Sequence, residues 1–94
     1  MPDVTRLGDL STGHGSFPPQ PSIAASSKVL ASGKGVVRQG DAYAVHSNGS
    51  SSHGGVAQTG SSKVLVSGKQ IMRVGDPINC GSSVMVGTPK VKAG

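Results

Sequence analysis

A repeat of 16 residues constrains the fold of this chain more than any other feature of its sequence. Residues 26–41 and 61–76, aligned at an offset of 35, are identical at 11 of 16 positions. Both copies begin with Ser-Ser-Lys-Val-Leu and end with Arg-x-Gly-Asp. Repeated sequence units form repeated structural units that pack against one another. The chain is therefore predicted to be ordered.

Parts of a third copy lie toward the two ends of the sequence. Residues 6–9 (Arg-Leu-Gly-Asp) match the trailing element of the repeat. Residues 82–87 (Ser-Ser-Val-Met-Val-Gly) match its leading element, in which two serines precede an apolar run and a glycine. Joined in space, the two fragments would complete a third unit. We therefore predict a closed, pseudo-threefold arrangement.

The local pattern within each unit indicates β-hairpins. In the first copy, Lys-Val-Leu-Ala and Val-Val-Arg flank the turn sequence of residues 32–35. Short β-branched runs separated by a glycine turn are typical of hairpins. The segments 13–22 and 47–60, rich in proline, serine and glycine, are predicted to be loops. Glycine and β-branched residues stand where a helix bundle needs strong helix formers, so the fold class is all-β.

The composition supplies very little hydrophobic core. Glycine, serine and proline make up 36 of the 94 residues, and only 34% are hydrophobic. Such a composition alone is typical of a disordered segment. One small domain, covering residues 1–94, has a core worth only about 3–5 kcal/mol, so a folded chain needs an additional crosslink. Cys80 is the only cysteine, which excludes an intrachain disulfide.

Histidine and cysteine follow the register of the repeat. His14 and His46 each lie five residues after the aspartate of a unit, and Cys80 lies four residues after Asp76. Equivalent positions around a threefold axis converge, and His53 in the long loop provides a fourth ligand. Three imidazoles and one thiolate suit tetrahedral Zn²⁺, with iron(II) as the alternative. Such a metal is predicted to be the missing crosslink.

The sequence carries no catalytic signature. It contains no glutamate, the usual general base beside hydrolytic zinc, and three of its four aspartates lie in the repeats. It has neither a phosphate-binding P-loop nor a nucleophile elbow. We therefore predict that the protein is not an enzyme. A small metal-binding carrier or metalloenzyme remains the alternative from a different class.

The charge and the N-terminus restrict the possible partners. The net charge is +5, but the lysines are spread along the chain and only two residues are aromatic. This pattern favours a solvated basic surface, and no nucleic-acid partner is predicted. The N-terminus lacks the apolar segment of a signal peptide. We predict synthesis in the cytoplasm and an export route that reads no cleaved leader.

The threefold Ser-Ser-x-Val-Leu-x-x-Gly-Lys and Arg-x-Gly-Asp pattern, with three histidines and one cysteine, resembles that of the PAAR-repeat proteins. The resemblance covers residues 4–91. Residues 35–38 (Gly-Val-Val-Arg) and 70–73 (Gln-Ile-Met-Arg) keep the arginine of the eponymous tetrapeptide but not Pro-Ala-Ala.

The resemblance implies a compact cone with a metal near its sharp vertex. The family's metal ligands carry over to His14, His46, His53 and Cys80. The base of the cone would cap the trimeric β-helical spike of a type VI secretion system, made of a VgrG-type protein, or that of a contractile phage tail. The tip would then puncture a target cell membrane and be delivered outside the cell or into a target cell, or form part of a virion.

The predicted mode of assembly is one monomer on one trimer. We expect a stand-alone tip without a fused effector domain, able to carry separate effector proteins. The surface facing the spike is predicted to consist of apolar strand positions not needed in the small core. These partner-binding residues are Val29, Leu30, Val64, Leu65, Val84 and Met85.

Overall fold

The computed structural model describes residues 1–94 and contains eight short β-strands and no helix, so that nothing in it is a candidate membrane-spanning helix. The strands are β1 (Asp3–Val4), β2 (Leu30–Ala31), β3 (Lys34–Gly35), β4 (Ala42–Ser47), β5 (Ser52–Val56), β6 (Leu65–Val66), β7 (Lys69–Gln70) and β8 (Thr88–Lys92). They form four antiparallel pairs: β1–β8, β2–β3, β4–β5 and β6–β7. The all-β prediction is confirmed.

A closed ring of three backbone hydrogen bonds lies at the centre of the molecule. Thr5 N–H donates to the Met72 carbonyl (3.2 Å), Met72 N–H to Val37 (2.9 Å), and Val37 N–H to Thr5 (3.1 Å). All three residues are completely buried. Each segment donates to one neighbour and accepts from the other, so the ring closes with pseudo-threefold symmetry, as the repeat predicts.

Two hairpins are closed by Ser-Gly turns with positive φ at both residues. The φ angles are 50° and 83° at Ser32 and Gly33, and 53° and 77° at Ser67 and Gly68. Positive φ at both central residues is typical of a type I′ turn, whose twist matches that of the strands. The predicted hairpins are therefore present, but β3 and β7 begin directly after the glycine. Of the apolar runs expected to be their second strands, Val36 and Ile71 still bond across the hairpin to Val29 and Val64, whereas Val37 and Met72 belong to the central ring.

The third hairpin is assembled from the two ends of the sequence. β1 pairs with β8 in the register Asp3↔Lys92, where the other hairpins pair Leu30↔Gly35 and Leu65↔Gln70. The leading part of the third unit is thus Thr88-Pro-Lys-Val-Lys-Ala-Gly, and its assignment to residues 82–87 was wrong. Thr88 Oγ1 accepts a hydrogen bond from Lys90 N–H, just as Ser26 Oγ accepts one from Lys28 N–H. The third unit therefore keeps the hydroxyl group at this position, although the residue is threonine instead of serine.

Two apolar clusters are stacked along the molecule, which is 38 Å long and 22 Å across. One cluster lies between the three hairpins and contains two sets of symmetry-equivalent residues. The first set is Val4, Val36 and Ile71, and the second is Ala31, Val66 and Ala93. The other contains Val37, Met72 and Tyr43, and Cys80 packs against it. We call the end formed by the three hairpins (β1–β8, β2–β3 and β6–β7) the base and the end that carries Cys80 the vertex.

The three Arg-x-Gly-Asp elements form equivalent turns between base and vertex. Arginine Nε lies 3.1, 3.0 and 2.9 Å from Oδ2 of the aspartate three residues later. The same oxygen accepts the arginine backbone N–H, and the glycine has a φ of 88°, 89° or 93°. The hydrogen bonds that the Arg38 guanidinium donates to Asp41 raise the pKa of Arg38. Each motif is therefore a self-contained, charge-neutral turn that directs the chain toward the vertex.

Tyr43 makes the stability sensitive to alkaline pH. Its side chain is 2% exposed and its buried hydroxyl has no hydrogen-bond partner. Burial raises the pKa of Tyr43 from 10 to about 12. Folding therefore favours the neutral phenol, so this contribution to stability is complete below pH 10 and is lost as the pH rises toward 12.

Denaturant unfolding of wild type and Tyr43→Phe across this pH range isolates the effect from lysine titration. The variant is expected to lose less stability above pH 10. It should be at least as stable as wild type at neutral pH, because removing an unpaired buried hydroxyl carries no hydrogen-bond penalty. Parallel pH profiles for the two proteins would contradict this expectation.

Candidate metal centre

Three arms extend from the Arg-x-Gly-Asp turns to the vertex. The first spans residues 10–21 and is held by isolated antiparallel bridges, the second is the β4–β5 hairpin, and the third is the tight reversal of residues 77–83. Each arm is held to its turn in the same way, because the N–H of the turn's glycine donates to the carbonyl of the residue directly after the arm: Ser22, Ala57 or Val84. The arms carry every histidine and the cysteine: His14 on the first, His46 and His53 on the second, Cys80 on the third.

The second arm differs from its sequence prediction. Residues 47–60 were expected to be a loop, but β5 occupies Ser52–Val56 and pairs with β4. In this register, His46 lies directly opposite His53. Cross-strand neighbours lie close enough for their side chains to act together. One hairpin therefore supplies two ligands, which is why three arms provide four.

The four side chains converge on one point. His53 Nε2 lies 2.9 Å from His14 Nε2 and 2.8 Å from His46 Nε2. The ligand atoms of all four residues, including Cys80 Sγ, lie within 4.8 Å of one another. With metal–ligand bonds of 2.0–2.3 Å, donor atoms of tetrahedral zinc are about 3.3–3.8 Å apart. The cluster therefore has the donor types and the size of a four-ligand metal site.

Hydrogen bonding prepares the imidazoles to bind a cation. His46 Nδ1 lies 2.7 Å from the Pro18 carbonyl, which can only accept, so this nitrogen donates and Nε2 of a neutral ring has a lone pair. His53 Nε2 can donate one proton at most, yet it faces two other ring nitrogens. A metal ion would satisfy all three lone pairs at once. Desolvation, followed by the nearby His46 and His14, lowers the pKa of His53, which favours the neutral, ligating form.

Phe17 packs against all three imidazoles. Its ring centroid lies 4.3 Å from that of His53 and 4.9 Å from those of His14 and His46. Phe17 is the only phenylalanine of the chain, and an apolar ring here restricts solvent access to the nitrogen atoms. Sequence reasoning did not identify it, although its position three residues after a predicted ligand was a usable signal.

Gln20 is a second residue that the sequence analysis missed. Its side chain is 1% exposed and connects the three arms. Oε1 accepts from Ser11 Oγ (2.9 Å) and from Ser82 Oγ (3.0 Å), and Nε2 donates to the Ala44 carbonyl (3.0 Å). Nε2 also lies 3.9 Å from Cys80 Sγ. Gln20 therefore fixes the position of the thiol relative to the histidines, which no sequence pattern indicated.

Replacing this glutamine should weaken metal binding without removing a ligand. Gln20→Leu is expected to lower metal affinity about 10–100-fold, as loss of an outer-shell hydrogen-bond partner does. The matched control is Gln39→Leu, which removes a more exposed glutamine that donates to the Gln58 carbonyl. Competition with a chromophoric chelator measures both affinities. Equal affinities in the two variants would show that Gln20 has no positioning role.

The structure brings together all four sequence-predicted ligands, and no carboxylate competes for the site. Three aspartates are paired with arginine and Asp3 is paired with Lys92. The donor set is thus three imidazoles and one thiol, a combination that zinc accepts and that also suits iron(II). A tetrahedral ion held by these four residues would have no open position, which is typical of structural metal sites.

The predicted partner-binding residues divide into two groups. Val29, Leu30, Val64 and Leu65 are exposed on the base hairpins, and Met85 is exposed on the flank, where its N–H donates to the Leu10 carbonyl. Val84 is 2% exposed and belongs to the second apolar cluster. Its backbone pairs with Asp76 as that of Ala57 pairs with Asp41. Val84 is therefore a core residue, and its assignment to the partner surface was wrong.

Comparison with known proteins gives one family match. The family model described as the PAAR motif matches residues 12–86, which include all four candidate ligands. No curated protein matches the chain.

Proposed function

We propose, because this chain belongs to the PAAR motif family, that it forms the tip of the trimeric β-helical spike of a type VI secretion system. The PAAR motif is associated with the tip proteins of such spikes, which are structural rather than enzymatic. In the proposed role, the base caps the end of a VgrG-type spike and the vertex leads it toward a target envelope.

The single observation that carries the proposal is the threefold backbone of one chain. The central ring at Thr5, Val37 and Met72 repeats the same hydrogen bond three times, and a strand of one base hairpin leads into each ring residue. A monomer built this way offers each subunit of a trimer an equivalent contact. It would also cover the open strand edges at the end of a β-helix.

The base has apolar side chains available for this contact. Leu30 and Leu65 are 60% and 58% exposed at equivalent positions of β2 and β6, and Val29 and Val64 lie beside them. Exposed leucines at symmetry-related positions of so small a protein are better explained by a partner than by chance. We assign these four residues to the spike interface, and Met85 to the flank as a further contact.

The proposed cofactor is one Zn²⁺ per chain, held by His14, His46, His53 and Cys80, with iron(II) as the substitute. When bound, the ion supplies a crosslink between the three arms. Neighbouring residues of the chain support the site: Pro18 fixes one imidazole, Phe17 limits access of water, and Gln20 orients the thiol. The role of the ion is mechanical, because the three arms of the vertex must stay together when the vertex meets an envelope.

The proposal implies assembly in the cytoplasm and delivery with the spike. The protein would act outside the cell or inside a target cell, contact the target membrane transiently, and carry any separate effector on its flanks. A contractile phage tail spike would use the same structure.

Co-purification with a VgrG-type trimer tests the function. Wild type is expected to bind at one chain per trimer, and Leu30→Asp/Leu65→Asp is expected to abolish binding. The matched control, Val45→Asp, changes an equally exposed apolar residue on the second arm and should bind normally. Absence of wild-type binding would refute the proposed function. Equal binding by all three proteins would refute the interface.

A further inference from the structure

The lysines, which are dispersed in the sequence, are gathered at one end of the structure. All six are exposed and lie in or beside the base hairpins. Lys28, Lys63 and Lys90 occupy one threefold-equivalent position, two residues after the hydroxyl residue that opens each unit. Lys34 and Lys69 begin β3 and β7, and Lys92 ends β8. The lysines therefore form a ring around the base.

The net charge of the protein resides entirely in this ring. Each of the three arginines is paired with an aspartate in its turn, so the region between base and vertex is neutral in formal charge. The remaining acid, Asp3, pairs with Lys92 on the base. Six lysines less this one aspartate account for the whole formal charge of +5. The lysines are solvent-exposed, as the sequence indicated, and the structure confines their charge to one face of the molecule.

We propose that the basal lysine ring docks onto an acidic collar, that is, onto aspartate and glutamate side chains around the apolar end of the trimeric spike. This inference rests on the proposed function and adds the chemistry of the partner surface. A trimer repeats any acidic residue three times around its axis, and Lys28, Lys63 and Lys90 are placed to meet one copy each. Leu30 and Leu65 would then contact the apolar end itself.

The surrounding residues favour an acidic protein over a nucleic acid. Neither aromatic residue is on the base, since Phe17 lies at the vertex and Tyr43 is buried. The base therefore lacks the stacking groups that single-stranded nucleic acids need. Lysines that ring an apolar patch instead resemble the charged rim and apolar centre of a protein interface.

The expected contribution of the ring is to the rate and specificity of docking. Complementary charge raises association rates about 10–1,000-fold at low salt, and the effect declines as salt screens it. One positively charged end and an uncharged remainder would also orient the approaching tip, so that the base and not the vertex meets the spike. The ring thus provides directional assembly that the apolar contact alone cannot provide.

Association kinetics with immobilised VgrG-type trimer at several salt concentrations test the inference. Lys28→Gln/Lys63→Gln/Lys90→Gln is expected to associate about tenfold more slowly than wild type at low salt and to show a weaker salt dependence. The matched control, Ser50→Glu/Ser51→Glu/Gln58→Glu, lowers the net charge by the same amount at exposed positions outside the base hairpins. It should keep the wild-type rate. Unchanged unfolding midpoints verify that the variants are folded.

The outcomes separate this inference from the proposed function. If wild type does not bind the trimer at all, the proposed function fails. If wild type binds with salt-independent kinetics, and both triple variants associate equally fast, only the acidic collar is refuted. Vesicles of phosphatidylglycerol and phosphatidylethanolamine provide the third arm. Lysine-dependent binding to them, with unchanged association to the trimer, would overturn the collar in favour of an anionic membrane.

Discussion

Removal of the metal with a chelator is expected to unfold the protein. Structural zinc contributes about 10–16 kcal/mol in small domains that fold around it, whereas a core of this size supplies only about 3–5 kcal/mol. The first arm carries His14 and contributes no residue to either buried apolar cluster, so it should lose order first. Circular dichroism with metal analysis measures the loss, and one equivalent of Zn²⁺ should restore the folded signal.

A ligand variant provides the same test without a chelator. His46→Ala removes a buried imidazole that also contacts the Pro18 carbonyl, and it should lose metal and fail to fold at 37 °C. Ser47→Ala changes the exposed neighbour on the same strand and should behave as wild type. A metal-free protein with an unaltered thermal midpoint would refute the structural role of the metal.

Loss of one turn aspartate is expected to be the second-largest effect. Asp41 is 5% exposed and accepts hydrogen bonds from Nε, Nη2 and the backbone N–H of Arg38. Asp41→Ala leaves the guanidinium and one N–H without their partner. Breaking a buried ion pair costs about 3–5 kcal/mol, and the lower end applies because Arg38 keeps some contact with water. Denaturant unfolding of the metal-loaded protein measures the change.

The chain contains a matched control for this substitution. Asp3 also pairs with a cation, Lys92, but this pair lies at the surface, with Lys92 exposed and Asp3 only partly buried. Exposed pairs contribute about 0–1 kcal/mol, so Asp3→Ala should change the unfolding free energy by no more than that. Equal losses in the two variants would show that the turn carboxylate is not specially important.

The sequence predicted the symmetry and the clustering of the three histidines with Cys80, because both depend on residue identity at fixed spacing. Glycine was needed for positive φ, arginine and aspartate for the turn, and histidine and cysteine for a cluster of donor atoms that could hold a metal. The third repeat was misplaced for the opposite reason. Thr88 accepts the same backbone hydrogen bond as Ser26, although it is a different residue type. Lys92 occupies the strand position of Leu30 and Leu65. The third unit therefore keeps the backbone structure of the other two without their sequence.

Features that depend on long-range packing left no local signal. The β4–β5 hairpin has the serine and glycine content of a loop, and its strands are defined by the partner across the ladder. Gln20 is an ordinary glutamine until the fold places Ser11, Ser82 and Cys80 around it. The lysine ring likewise exists only once the three hairpins are side by side.

The central ring of backbone hydrogen bonds has a consequence for the order of events in folding. Each of its bonds joins segments that are distant in sequence, and Thr5 Oγ1 donates to Val86 across 81 residues. Loops must close before such contacts contribute, so a topology of this kind folds slowly for its size. The ring cannot close before Met72 has left the ribosome, because Met72 bonds with both Thr5 and Val37. The fold is thus completed by a late closure, in which β1 pairs with β8.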